Sequence, residues 1–207
     1  MFSSVLLSRF MHSPSNVHFG IAKRVFRYLK ATVEYGIWFK VGEELILKGY
    51  ADSDWAGCVD DSKSTLGYVF SFGSCAFCWS SMKQEVVAQS TAEAEPIVAA
   101  SAANQAIWLK KLLDDLGIKQ TDPTELIIDN KFAITIATNL VQHGRTKHIK
   151  VKFHSIREAE KEGEIKMLYC KSELQLADIF TKSLTSFRFE FLRGLLGVSK
   201  RNLKEEC

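Results

Sequence analysis

The sequence predicts an α/β domain built on a mixed sheet, and three observations carry that expectation. After a basic helical stretch near the N-terminus, strand-like apolar runs follow close together. The hydrophobic pattern then switches to helical spacing in a long alanine-rich stretch, and beyond it short apolar runs alternate with helical ones. At 207 residues, with 46% hydrophobic and 25% charged residues, the chain has the length and balance of one globular domain rather than a disordered one. Only 3 prolines and 12 glycines exclude collagen-like and linker-like readings.

The elements follow in order. Val17 to Ala31 places Ile21, Val25, Phe26 and Leu29 among Lys23, Arg24, Arg27 and Lys30, an amphipathic helix with a basic face, capped by Ser15 or Asn16 after Pro14. Tyr35 to Val41 and Leu45 to Asp52 read as strands of a hairpin split by Gly42-Glu43-Glu44. A third strand covers Leu66 to Phe72, and a fourth follows Gly73-Ser74 through Phe77-Cys78-Trp79. Ser90 to Leu116 is the long helix, stopped by Gly117. Thr124 to Asp129 is a strand, Asn130 to Thr138 a short helix and Lys147 to Lys161 a basic helix. Glu164 to Cys170 is a strand, Leu174 to Lys182 a helix, and Phe187 to Leu196 a last helix ending at Gly197.

Charge and cysteine narrow the function classes. Lys+Arg 27 against Asp+Glu 24 gives +3, too mild to name a polyanionic partner unless the charge clusters. Cys58, Cys75, Cys78, Cys170 and Cys207 are scattered and odd in number, which fits reduced intracellular thiols. Cys75 and Cys78 sit in an apolar strand with no second ligand pair, so packing is expected rather than zinc. No apolar run approaches the roughly 20 residues that span a bilayer. No signal peptide is read, and an intracellular protein, cytoplasmic or nuclear, is expected.

Several acids close strands or open helices. Asp52 and Asp54 end one strand and share a face, Asp129 ends another, Glu93 and Glu95 lie early in the long helix, and Asp178 lies in the short helix after the last strand. Carboxylate-only sets suit Mg²⁺, a hard ion that prefers oxygen and keeps waters for a phosphate substrate. Each acid taken singly is as well explained as a turn former or a helix-dipole partner. The residues by themselves therefore give a mixed α/β domain with a candidate metal-dependent, phosphate-directed site.

Longer motifs go further. Gly49-Tyr50-Ala51-Asp52-Ser53-Asp54-Trp55-Ala56-Gly57-Cys58, Lys63-Ser64-Thr65-Leu66-Gly67-Tyr68, Glu93-Ala94-Glu95, Ile128-Asp129-Asn130-Lys131, Arg145-Thr146-Lys147-His148-Ile149 and Gln175-Leu176-Ala177-Asp178-Ile179-Phe180-Thr181-Lys182 occur in that order. Together they resemble the ribonuclease H domain of copia-type LTR retrotransposon Pol polyproteins, from about Gly49 to Gly197. Leu6-Leu7-Ser8-Arg9-Phe10-Met11 and Ala22-Lys23-Arg24-Val25-Phe26-Arg27-Tyr28-Leu29-Lys30 resemble the end of the reverse transcriptase in the same polyproteins. That accounts for the absence of acid before Glu34 better than a mitochondrial presequence does. The expected organisation is a reverse transcriptase tail over 1–44, a ribonuclease H-like domain over 45–198 and a polar tail over 199–207.

The resemblance implies a ribonuclease H-like fold, a five-stranded mixed sheet flanked by helices. It implies hydrolysis of the RNA strand of an RNA–DNA hybrid by two Mg²⁺ ions, which Mn²⁺ can replace. Catalytic and metal-holding roles fall on Asp52, Glu95, Asp129 and Asp178, with Asp54 and Glu93 as neighbours. Arg145, Lys147, His148, Lys152 and Arg157, in a basic stretch, are the expected nucleic-acid contacts. The implied partners are the hybrid and the upstream reverse transcriptase region, with no membrane and no small-molecule cofactor. Pro96 departs from the family pattern directly after Glu95, where an interior proline costs about 3 kcal/mol and can tilt the neighbouring side chain. A distorted helix there would favour the alternative, a non-catalytic remnant that keeps the fold and nucleic-acid binding.

Overall fold

Five strands form the central sheet of the computed structural model, which describes residues 1–39, 42–55, 63–84, 91–138 and 147–200. β2 (Leu47–Asp54), β3 (Thr65–Phe72) and β4 (Cys75–Lys83) make an antiparallel meander, with Gly73 at φ 53° turning β3 into β4. β5 (Thr124–Ile128) lies parallel to β2 and β6 (Ile165–Tyr169) parallel to β5, giving the order β4-β3-β2-β5-β6. The sheet is mixed because the chain crosses over through helices once the meander is complete.

Both faces of the sheet are covered. On one, Leu47, Phe70, Leu126 and Ile128 pack against α3 (Thr91–Asp115) and α5 (Lys147–Lys161). Full burial of such side chains contributes roughly 1.5–3 kcal/mol each. α3 carries buried Ala99, Ala100, Ala102, Ala103 and Ala106, so it lies close to the sheet along a broad strip. The other face holds Val69 and Ala76 beneath Leu176, Phe180, Leu192 and Leu196, which belong to or flank α6 (Asp178–Thr181) and α7 (Ser186–Leu195). α4 (Lys131–Thr138) completes the set after β5. Among the described residues, no helix is long and apolar enough to cross a membrane.

The N-terminal part differs from expectation in two ways. A short helix, α1 (Phe2–Ser8), precedes α2 (Asn16–Ala31). The Ser15 hydroxyl accepts from the His18 amide, and the Ser15 amide donates to His18 Nδ1, a reciprocal cap that selects Ser15 from the two expected caps and starts α2 at Asn16. The expected hairpin does not form. β1 (Tyr35–Ile37) pairs antiparallel with β7 (Val198–Lys200), not with β2. Trp38 Nε1 donates to the Ser199 carbonyl at 3.1 Å, and the Arg193 guanidinium stacks 4.3 Å from the Tyr35 ring. Partners supplied from the far end of the chain win over the sequence neighbour, which alternation alone could not reveal.

Candidate metal centre

β2 and β5 are parallel neighbours, so their carboxyl ends lie side by side and bring Asp52 and Asp129 together. α3 crosses that edge and adds Glu95. One carboxylate oxygen from each of Asp52, Glu95 and Asp129 lies within 4.8 Å of the other two. α3 runs unbroken through Pro96, which is itself buried. Pro96 is the sixth residue of α3, so its missing amide removes one ladder bond just past the first turn. Glu95 still reaches the cluster.

Asp178 is not one of the three mutually close acids. It opens α6 and faces cations: Lys182 Nζ lies 2.9 Å from Asp178 Oδ1, and Arg188 Nη2 lies 3.4 Å from Oδ2. The same Lys182 ammonium lies 3.5 Å from Asp52 Oδ2, joining Asp178 electrostatically to the triad. Three hydrogen bonds clamp this segment onto the sheet. Thr181 Oγ1 donates to Asp52 Oδ2, Gln175 Nε2 donates to the Ala51 carbonyl at 2.9 Å, and Ser81 Oγ donates to the Phe180 carbonyl at 2.6 Å. Gly67, directly opposite Asp52 in the β2–β3 register, permits the approach. A Cβ there would stand 2.6 Å from Thr181 Cγ2 and 3.1 Å from Phe180 Cβ.

Burial dominates the electrostatics. Asp52 is 2% exposed and its carboxyl is pushed up to about 6, chiefly by burial, with Lys182 and the Thr181 hydroxyl pulling the other way. Glu95, 5% exposed, is pushed up to about 9 by burial and then by Asp52 and Asp129. Its Oε2 is buried and has no hydrogen-bond partner among the described residues. Burial draws the Lys182 ammonium downward, but Asp52 and Asp178 more than offset this and its pKa rises. The Cys170 thiol, at the end of β6, is pushed up to about 11 by burial and by Asp129, Asp178 and Asp52. An oxygen-only donor set with an orphaned buried carboxylate oxygen fits a hard divalent cation.

The remaining expected residues divide clearly. Asp54 is half-buried, with its carboxyl raised mainly by burial, and lies outside the triad. Lys152 and Arg157 are half-buried on α5. Lys147 and His148 begin α5, but their side chains, like that of Glu93 and the whole of Arg145, lie outside the described residues. Cys75 and Cys78 do not converge: Cys75 Sγ donates to the Trp38 carbonyl, whereas Cys78 Sγ accepts from Gln105. Cys58 and Cys207 lie outside the described residues. Sequence reasoning assigned no role to Lys182, Thr181, Gln175 or Gly67, although all four stand in the motifs quoted above. Arg188 carried no signal at all.

No family model matches the chain. It is 39% identical over 194 residues to the retrovirus-related Pol polyprotein from transposon RE1 of Arabidopsis thaliana, a match that covers 94% of this chain. It spans only 13% of that polyprotein's length. Among solved structures, the N-terminal RNase H domain of Rv2228c from Mycobacterium tuberculosis superposes with a TM-score of 0.50 at 12% identity, covering 72% of this chain and 97% of that one. LC11-RNase H1, solved in complex with an RNA/DNA hybrid, gives a TM-score of 0.50 at 15% identity, covering 65% of this chain and 93% of that one. These two likenesses agree on the fold, and the sequence match supplies the family: the chain belongs to the copia-type retrotransposon Pol polyproteins, as a segment carrying a ribonuclease H-like domain.

Proposed function

We propose that this domain is a metal-dependent ribonuclease H that hydrolyses the RNA strand of RNA–DNA hybrids during retrotransposon reverse transcription. The observation that carries the reading is the meeting of Asp52, Glu95 and Asp129 within 4.8 Å, with Glu95 Oε2 buried and without a partner among the described residues. So crowded a set of carboxylates is costly to keep ionised unless a cation is shared among them. In this reading Asp52, Glu95 and Asp129 would hold one Mg²⁺, and Asp52 with Asp178 would hold a second. Bound there, the ions supply Lewis-acid stabilisation of charge on the phosphodiester. Arg188 and Thr181 orient Asp178 and Asp52, and buried Gln175 keeps the loop before α6 in place.

RNA is the strand to be cut because its 2′-hydroxyl distinguishes it from DNA at the minor groove. The relative LC11-RNase H1 was solved with an RNA/DNA hybrid, which supports the same substrate class here. Arg145, Lys147, His148, Lys152 and Arg157 are the proposed phosphate contacts, and the polymerase region of the polyprotein is the proposed neighbour. The test is cleavage of an end-labelled hybrid with Mg²⁺, beside Asp52→Asn. Wild type is expected to cut only the RNA strand, and the variant to lose more than about 100-fold, since even outer-shell partners of metals are worth 10–100-fold. Equal cutting by both proteins would defeat the assignment.

A further inference from the structure

The two cations at the site are held in different ways. Arg188 is tied to backbone: its guanidinium donates to the carbonyls of Ser172 and Glu173 while facing Asp178. Lys182 is placed otherwise. Its ammonium meets two carboxylates at once, Asp178 Oδ1 at 2.9 Å and Asp52 Oδ2 at 3.5 Å. Its side chain is 35% exposed, against 3% for Asp52 and 7% for Asp178, so the cation stands on the solvent side of two buried acids.

An ion shared by Asp52 and Asp178 would meet Lys182 on Asp178 Oδ1 and Asp52 Oδ2, with Arg188 on Asp178 Oδ2 and the Thr181 hydroxyl on Asp52 Oδ2. A lysine ammonium and a divalent ion set between the same two buried acids repel each other, and little water is there to screen them, so each weakens the hold of the other. Lysine is suited to yielding those oxygens: its ammonium is compact, strongly hydrated and carried on a flexible stem, so it regains water when it swings outward. The Asp178–Lys182 spacing across α6 keeps it within reach afterwards.

We propose that Lys182 is a built-in competitor for the second divalent ion. It neutralises Asp52 and Asp178 until the ion arrives, and it must withdraw to solvent before they can share one. Arg188, anchored by two carbonyls, stays and keeps Asp178 oriented. The inference rests on the metal-centre reading, and deepens it by naming the residue that sets the affinity of one of the two ions.

Two measurements on the full chain without nucleic acid test it. Calorimetric titration with Mn²⁺ compares wild type, Lys182→Gln and Lys182→Arg. The Gln variant is expected to bind one ion about tenfold or more tightly than wild type, within the range by which neighbouring groups alter metal affinity, with the Arg variant between the two. In wild-type protein, Mg²⁺ is expected to shift the Lys182 side-chain nitrogen resonance to that of a solvated lysine. Unchanged or weakened Mn²⁺ binding in the Gln variant overturns the proposal while leaving the metal centre intact. So does a Lys182 resonance that stays in place once Mg²⁺ is bound. Absence of Mn²⁺ binding to wild type and both variants overturns the metal-centre reading and this proposal with it. If Lys182→Gln does not fold, the resonance measurement on wild type decides alone.

Discussion

The carboxylates of the site lie in two contrasting settings. Asp52, Glu95 and Asp129 ride on β2, the long helix α3 and the end of β5, rigid elements with large buried faces. They crowd one another, and burial holds the Asp52 and Glu95 carboxyls well above their ordinary range. Asp178 rides on a four-residue helix and is met by Lys182 and Arg188. One side of the site rests on long elements and meets positive charge at its edge, where Lys182 reaches Asp52. The other is lightly built and braced by side chains and cations. A long element can hold an acid against repulsion because many core contacts oppose its movement, whereas a single turn of helix needs local ties.

Gly67→Ala would break the braced side alone. The new methyl would stand 2.6 Å from Thr181 Cγ2, so α6 must lift. Overpacking of this kind costs about 1–3 kcal/mol. Urea denaturation is expected to show that loss, and hybrid cleavage is expected to fall because Thr181 and Lys182 move with α6. A variant as stable as wild type would mean that α6 does not depend on close contact with β3.

Glu95→Gln sharpens the other side through pH. The folded-state carboxyl lies at about 9 against an ordinary 4.5, so the native state holds the proton more tightly than the unfolded chain does. Stability from this group is complete below the ordinary value and is lost as pH rises toward the folded one. Asp52 adds a loss of the same sign between 3.8 and about 6. In a chelator, wild-type stability is therefore expected to decline from about pH 4 to about pH 9. Glu95→Gln should flatten the upper part of that decline and exceed wild type at about pH 9 by ~1 kcal/mol or more, since one pKa unit is worth about 1.4 kcal/mol. Thermal melts across pH with EDTA would check it, and parallel slopes for the two proteins would count against the crowding of the triad.

The smallest effect is expected from Arg188→Lys. Charge beside Asp178 is kept, but the fork that reaches both Ser172 and Glu173 is lost. A loss of about 0.5–1.5 kcal/mol, the worth of an ordinary hydrogen bond, should appear in denaturation. A much larger loss would show that the guanidinium braces α7 as well as Asp178.

The same contrast marks what could be read from the chain in advance. Asp52 and Asp129 close apolar runs and Glu95 opens a helical one, so their placement at one sheet edge follows from strand and helix patterns plus a parallel pairing. The braces on Asp178 could not be read that way. Thr181 and Lys182 lie within four residues of Asp178, yet their use depends on Asp52, which is more than a hundred residues earlier in the sequence. The helix expected over Leu174 to Lys182 shrinks to a 3₁₀ turn, Ser172–Leu174, and α6, because Gln175 is drawn aside to the Ala51 carbonyl. The pairing of β1 with β7 was hidden for a related reason: alternation gives the faces of a strand but not its partner.

Local chemistry was thus enough for the extents of most strands and helices, for the Ser15 cap and for the order of the four acids along the chain. These depend on side chains a few residues apart, where spacing and capping act directly. Which cation faces which acid, why residue 67 must lack a side chain and which strand takes β1 as its partner were decided by groups brought together from distant parts of the chain. Desolvation and steric fit act between those groups only once the fold has closed, and they leave no periodic trace in the order of residues.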